Sequence, residues 1–202
     1  MAKKLRQNQS IYIAPDITGS LNNNYEPVVL DERNNNYLDP RSIDDKTIIY
    51  ERQVLEWFLK PAQNLIRYRN KNKGFIVLMI CLSYLEGVEQ YRQGRSSNGQ
   101  SKTFFINSIE RIYPNIYNQY NLRDFYSEAR CGLFHNGMVQ GRILINNRFQ
   151  ISLSFQNDDI KISPSKFLRD INADFQNHIQ TLRNENNTEL RNNFNNMFSN
   201  LH

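Results

Sequence analysis

The chain has 202 residues, 39% hydrophobic and 12% aromatic, which supports one domain with extensions and a real core and leaves little room for two. A charged fraction of 22%, a net charge of +5 and a pI of about 9.2 admit a polyanionic partner such as RNA without demanding one. The two cysteines, Cys81 and Cys131, lie in apolar stretches with no CxxC or Cys/His ligand spacing, so a reduced core role is expected and a zinc site is not. The start Met1-Ala2-Lys3-Lys4 is polar, unlike a signal peptide, and the longest apolar run, 75–82, is too short to span a bilayer, so the expected location is cytoplasmic with no membrane partner.

In chain order, residues 1–45 are expected to form an irregular arm. Asn22-Asn23-Asn24 and Asn34-Asn35-Asn36 favour turns, and Pro15, Pro27 and Pro40 break helices. Two short β-like pieces, 11–13 and 28–30, stand out within it. A helical domain over 46–186 follows. Its first helix begins near Asp44, with Ile48, Ile49, Val54, Leu55, Trp57, Phe58 and Leu59 as an apolar stripe that Pro61 should kink or restart. The basic run 67–73 ends at Gly74, a stop signal. A second helix over about 75–93, apolar nearly all round at first, is the candidate central helix. A Gly/Ser loop at 94–100 leads to a third helix over 101–112, buried along Phe104, Phe105, Ile109 and Ile112. A fourth runs from about 121 until Asn136-Gly137, a strong stop because both residues tolerate left-handed backbone.

Alternating polarity in Phe149-Gln150-Ile151-Ser152-Leu153-Ser154-Phe155 predicts a strand pairing with 142–145 in a small antiparallel β-hairpin, spanning about 142–162. Ile160-Lys161-Ile162 is available as a third strand. Ser163-Pro164 marks the start of the last long helix, running to about 183, and 187–202 is a short amphipathic segment. The expected fold class is mainly α: a helical bundle with that hairpin inserted before the last long helix.

Only three histidines occur: His135, His178 and His202. His202 ends the chain, and the neighbours of His178 place it on the polar side of its helix, so both read as solvated. His135 stands five residues after Arg130 at a helix end. At about 100° per residue the two side chains of an α-helix would point about 140° apart. Two copies packed together, or a distorted helix end, would be needed to bring them into one cleft.

The segment Phe125-Tyr126-Ser127-Glu128-Ala129-Arg130-Cys131-Gly132-Leu133-Phe134-His135-Asn136-Gly137 resembles the motif helix of HEPN-domain proteins. There an aromatic or Leu-rich turn leads into Arg, a short apolar stretch and His. The upstream order is similar too: a hydrophobic helix ending in Leu85-Glu86-Gly87, a loop, a Phe-rich helix and the motif helix. The resemblance covers about 48–140 and, more loosely, the last long helix. It implies a HEPN-like bundle that dimerises through its motif helices, and a metal-independent endoribonuclease without cofactor, often a toxin or defence effector with an antitoxin or other protein partner. Carried over by position, Arg130 and His135 match the motif pair, Asn136 follows, and Glu86, or Glu89 in its place, occupies the acidic position.

Those residue types suit the chemistry. Cleaving RNA without metal requires proton transfer from the ribose 2′-OH and to the leaving 5′-oxygen, which histidine performs near neutrality. A fixed guanidinium stabilises the phosphorane. Two other readings stand beside this one: a non-catalytic HEPN-like module that binds a nucleic acid, nucleotide or protein, and a structural protein in which Arg130 merely pairs with a carboxylate and His135 caps a helix.

Overall fold

The computed structural model describes residues 5–67 and 73–201. His202 and most of the basic run 67–73 lie outside the described residues. The chain is predominantly helical and divides into two compact units, Met1–Lys60 with Tyr91–Arg95 and His178–His202, and Pro61–Gln90 with Ser96–Asn177. This division cuts across the single helical domain expected over 46–186.

The first unit corrects the irregular arm. Four short strands, β1 (Ile11–Ala14), β2 (Ile17–Leu21), β3 (Pro27–Asp31) and β4 (Asn36–Leu38), form an antiparallel meander in sequence order. The asparagine clusters are its turns. Asn22 accepts the amides of Asn24 and Glu26, both at 2.9 Å, and Asp16, Tyr25 and Asn35 supply left-handed backbone. Pro27 sits at the first residue of a strand, where a missing N–H is tolerated.

Ala14, Ile17, Val29 and Leu38 are buried beneath helix α1 (Ile43–Val54), whose N-cap Ser42 accepts the amide of Asp45 at 3.3 Å. Arg52 of α1 holds Asp31 of β3 through a buried two-pronged pair at 2.6 and 2.8 Å. A π-helical turn, Leu55–Leu59, comes just before Pro61. It rotates the register, so Trp57 and Phe58 of the expected stripe stand exposed while Leu59 is buried. The C-terminal segment is helix α7 (Thr188–Leu201, with α2–α6 below), and its Phe194 packs on the rings of Tyr50 and Tyr91 at 5.4 and 5.6 Å.

In the second unit, α2 (Lys60–Arg67) precedes α3 (Gly74–Gln93), which begins at Gly74 where a stop was expected. Val77, Leu78, Cys81, Leu82 and Leu85 of α3 are buried, as its all-round apolarity predicts. The buried side of α4 (Ser101–Ile112) carries Phe104, Phe105 and Ile109. Phe105 meets Phe125 at 5.4 Å, and Phe125 meets Phe167 edge-on at 6.1 Å. Helix α5 (Gln119–Phe125) runs directly into a π-helix, Tyr126–Asn136, which contains the motif.

Strands β5 (Ile143–Ile145), β6 (Leu153–Gln156) and β7 (Asp159–Ile162) follow in the order β5-β7-β6. The sheet is there, but its pairing corrects the expected hairpin. Segment 142–145 does not pair with 149–155. Instead β6 and β7 are antiparallel, and β5 joins β7 in parallel. The reason is turn chemistry: Asn157 and Asp158 both adopt the positive φ that a two-residue hairpin turn needs. Helix α6 (Pro164–Arg183) starts as predicted, with the Ser163 carbonyl accepting from Phe167 at 2.9 Å. The Ser163 hydroxyl, however, has no hydrogen-bond partner among the described residues.

Candidate functional site

The π-helix decides how Arg130 and His135 stand to one another. Its hydrogen bonds run from residue i+5 back to i, so about 4.4 residues complete a turn and five residues leave two side chains only about 50° apart. The 140° separation expected of an α-helix therefore does not hold. The closing bond, from the Gly137 amide to the Gly132 carbonyl, spans five residues, and Gly137 ends the helix in left-handed conformation at φ 70°. The chain then folds back across the helix. Met138 and Gln140 donate to the carbonyls of Gly132 and Glu128 at 3.3 and 3.0 Å. Gly132 is the place where this return is possible, because a Cβ there would lie 2.7 Å from the Met138 carbonyl oxygen.

Arg130 is mostly buried and firmly oriented. Its Nη2 donates to Glu86 Oε2 at 2.8 Å, and its guanidinium lies over the rings of Tyr126 and Phe134, 5.7 and 5.1 Å from their centres. Each ring is four residues from the arginine, one on either side. Nη1 and Nε have no hydrogen bond among the described residues. Glu86 is itself held from the loop after α3, where Ser97 donates to its Oε1 at 2.7 Å. Burial opposes the charge of Glu86, but the hydroxyls of Ser97 and Ser101 together with the Arg130 guanidinium outweigh it, so the carboxyl stays below its usual range. Burial and the adjoining Cys131 thiol push the Tyr126 phenol up.

Of the residues predicted for the site, Glu86 and Arg130 are thus in direct contact. His135 and Asn136 stand exposed at the end of the same helix, with the half-exposed Phe134 and the exposed Met138 beside them. Glu89 does not share this site. It is buried in a separate cluster, with its Oε2 3.7 Å from Arg111 Nε and accepting from Ser108 at 3.3 Å. Asp174 joins that cluster by accepting from Tyr84 at 2.6 Å and pairing with Arg111. Sequence alone assigned no site role to Ser97, Ser101, Tyr126 or Phe134, although the i±4 spacing of the two aromatics about Arg130 was visible in it.

His178 requires correction. It is fully buried in the first unit, with Nδ1 3.1 Å from Arg92 Nη1 and its ring edge-on to Tyr50. Polar sequence neighbours misplaced it, because its burial is set by residues far away in sequence. Among the described residues no group of three or more His, Cys, Asp or Glu side chains is arranged to hold a metal ion, and no helix is long and apolar enough to cross a membrane. No protein-family model, curated protein or solved structure matches the chain.

Proposed function

We propose that this chain is a HEPN-like, metal-independent endoribonuclease whose site lies along the C-terminal part of the π-helix Tyr126–Asn136, with His135 as the proton-transfer group, Arg130 as the phosphate-stabilising group and Glu86 as a positioning residue. The observation that carries this reading is the π-helical register, since an ideal π-helix sets residues five apart at about 50° from one another. The guanidinium is fixed by Glu86 and two rings, yet keeps Nη1 and Nε for an incoming phosphate. A donor held in place before the reaction has no reorganisation left to undergo as the phosphorane gains charge. His135 is exposed at the helix end, open to an incoming ribose and suited to delivering a proton to the 5′-oxygen. Asn136, exposed next to His135, is assigned to the ribose or a flanking phosphate in this proposal.

The enzyme works as a cytoplasmic homodimer in this proposal. Phe134 and Met138, exposed on either side of His135, support the dimer. The register relieves the dimer of having to complete each Arg–His pair, and the partner's role is to shelter the two sites. The Glu86–Arg130 contact also favours a second reading, in which Arg130 simply ties the π-helix to α3 and the module binds its partner without cleaving it.

The test is cleavage of total RNA in the presence of EDTA by wild type, His135→Ala, Arg130→Ala and Arg130→Lys, with folding and dimerisation followed by circular dichroism and light scattering. His135→Ala should lose roughly 10²–10⁴-fold, as removal of a proton-transfer group does. Arg130→Ala should lose roughly 10²–10³-fold, and lysine should restore only part because it lacks the planar fork. RNA binding should weaken as salt rises. Equal cleavage by all four folded proteins sinks the catalytic assignment, and RNA binding without cleavage by wild type selects the second reading.

A further inference from the structure

Lys46 presents a different chemistry, independent of the ribonuclease reading. It lies in the first turns of α1 and is only 8% exposed. Its ammonium donates to Asn195 Oδ1 at 2.7 Å and Ser199 Oγ at 3.3 Å, both on α7. An ammonium has three N–H donors, and the third finds no acceptor among the described residues. Among the described residues no carboxylate forms an ion pair with it either. Asp39 is the acidic group that bears on it electrostatically, yet its carboxylate accepts the Arg41 amide at 2.8 Å. Asp44 pairs with Arg191 at 2.8 Å, and Asp45 accepts the Asp39 amide at 2.7 Å. A buried cation with no ion-pair partner in contact is costly, and burial pulls the Lys46 amine below its usual range against the smaller opposing effect of Asp39.

Lys46 lines one side of a cavity of about 280 Å³ whose other walls are apolar. Ile13, Pro27 and Val29 come from the sheet, Ile49 from α1 and Phe198 from α7, with Ser199 beside the ammonium. A Cβ at Gly19 would lie 2.8 Å from Leu5 and 3.2 Å from Ile13, two of the wall residues, so the glycine lets those side chains lie back from the space. An apolar cavity with one charged group at its edge is the usual plan of a small-ligand site, in which apolar walls hold the ligand and the charge orients it.

We propose that this cavity binds a medium-chain aliphatic carboxylate, with its alkyl chain against Ile13, Val29, Ile49 and Phe198 and its carboxylate on the Lys46 ammonium. The ligand carboxylate supplies an acceptor for the third N–H and a counter-charge in direct contact with the ammonium. At the interior packing density of about 0.75, the volume accommodates a chain of about eight to ten carbons.

Isothermal titration of the full chain with decanoate, below its micelle concentration, tests this against decanol, which has the same chain without the charge. Decanoate should bind one per chain, and decanol at least tenfold more weakly. Lys46→Met should weaken decanoate by about 30-fold or more, as removing one partner of a desolvated charge pair does, while leaving decanol unchanged. Val29→Phe, which fills the cavity, should abolish both. Decanol binding as tightly as decanoate, no saturable decanoate binding to wild type, or folded Lys46→Met binding decanoate as wild type does would overturn the proposal. The comparison of the two ligands on wild type stands even where a variant fails to fold.

Discussion

Gly132→Ala isolates the return of the chain over the π-helix. The new Cβ would lie 2.7 Å from the Met138 carbonyl oxygen, 3.3 Å from the Gln140 nitrogen and 3.3 Å from Val139 Cα, all backbone atoms that cannot swing aside as a side-chain tip does. To make room, segment 138–140 must lift, stretching or breaking the Met138 and Gln140 amide bonds, each worth about 0.5–1.5 kcal/mol. Overpacking adds about 1–3 kcal/mol. Alanine's better helix propensity returns about 1 kcal/mol. The net expectation is a loss of about 1–5 kcal/mol, centred on about 3, read from urea unfolding at unchanged m-value, with faster hydrogen exchange at the Met138 and Gln140 amides. Gly141→Ala is the control: nothing lies within 4 Å of a Cβ there, so its stability should change by less than about 0.5 kcal/mol. A Gly132→Ala protein as stable as wild type, with unchanged exchange at those amides, would refute the account of why the motif contains glycine.

Glu86→Gln keeps the shape of the contact and removes its charge. It should cost about 1–3 kcal/mol, and a double-mutant cycle with Arg130→Ala should give a coupling of about 0.5–3 kcal/mol, whereas additivity within about 0.3 kcal/mol would deny that the two support each other. In the first unit, the Arg52 hydrogen bonds hold the Asp31 carboxyl low, and those of Arg33 bring Glu56 down to about 2. Both carboxyls bind protons more weakly folded than unfolded, so their contribution is complete above pH of about 4.5 and is lost as pH falls towards about 2. Acid titration of urea stability should follow that limb. Asp31→Ala, which leaves Arg52 buried without its partner, should cost about 3–5 kcal/mol at pH 7 and flatten the limb. An acid limb as steep as that of wild type would show that the pair does not carry the effect.

Much of the helical frame was legible because burial there repeats with helical period. Phe104, Phe105 and Ile109 mark the buried side of α4, and the predicted bounds 101–112 match the helix end to end. Helix α3 differs from its predicted span by one residue, at Gly74. The N-terminal sheet was half visible. The pieces 11–13 and 28–30 belong to β1 and β3, but β2 contains Gly19 and β4 is only Asn36–Leu38, too short to display alternation. Strands this short are fixed by their neighbours in the meander and by α1 above them. The pairing of β5 was likewise beyond local reading. A parallel partner is chosen across the intervening hairpin, and no adjacent turn announces it.

The motif poses the sharper problem, because the angle between its residues depends on a helix type that the sequence did not announce. Angular arguments from sequence assume a helix type, and the α-helical assumption puts Arg130 and His135 on different faces, which calls for a second subunit or a distorted helix end. The π-register removes that necessity, and the same sequence contains reasons for the register. Gly132 admits the returning chain, Gly137 closes an i+5 bond in left-handed conformation, and Arg130 lies between rings four residues away on either side. A π-helix usually occurs as a single turn and costs stability relative to α, so eleven residues of it need compensation. That compensation is the contact set just described, together with the Glu86 pair. The spacing of five between Arg and His is then the span of the i+5 hydrogen bond of the helix that carries them. Deleting one residue between Arg130 and His135 should return the segment to α-helix and leave the pair four apart, still on one side but with the aromatic brackets and the Gly132 crossing out of step. This variant separates spacing from register: an arginine and a histidine on one face are not sufficient if cleavage depends on the guanidinium being held where Glu86 and the two rings hold it.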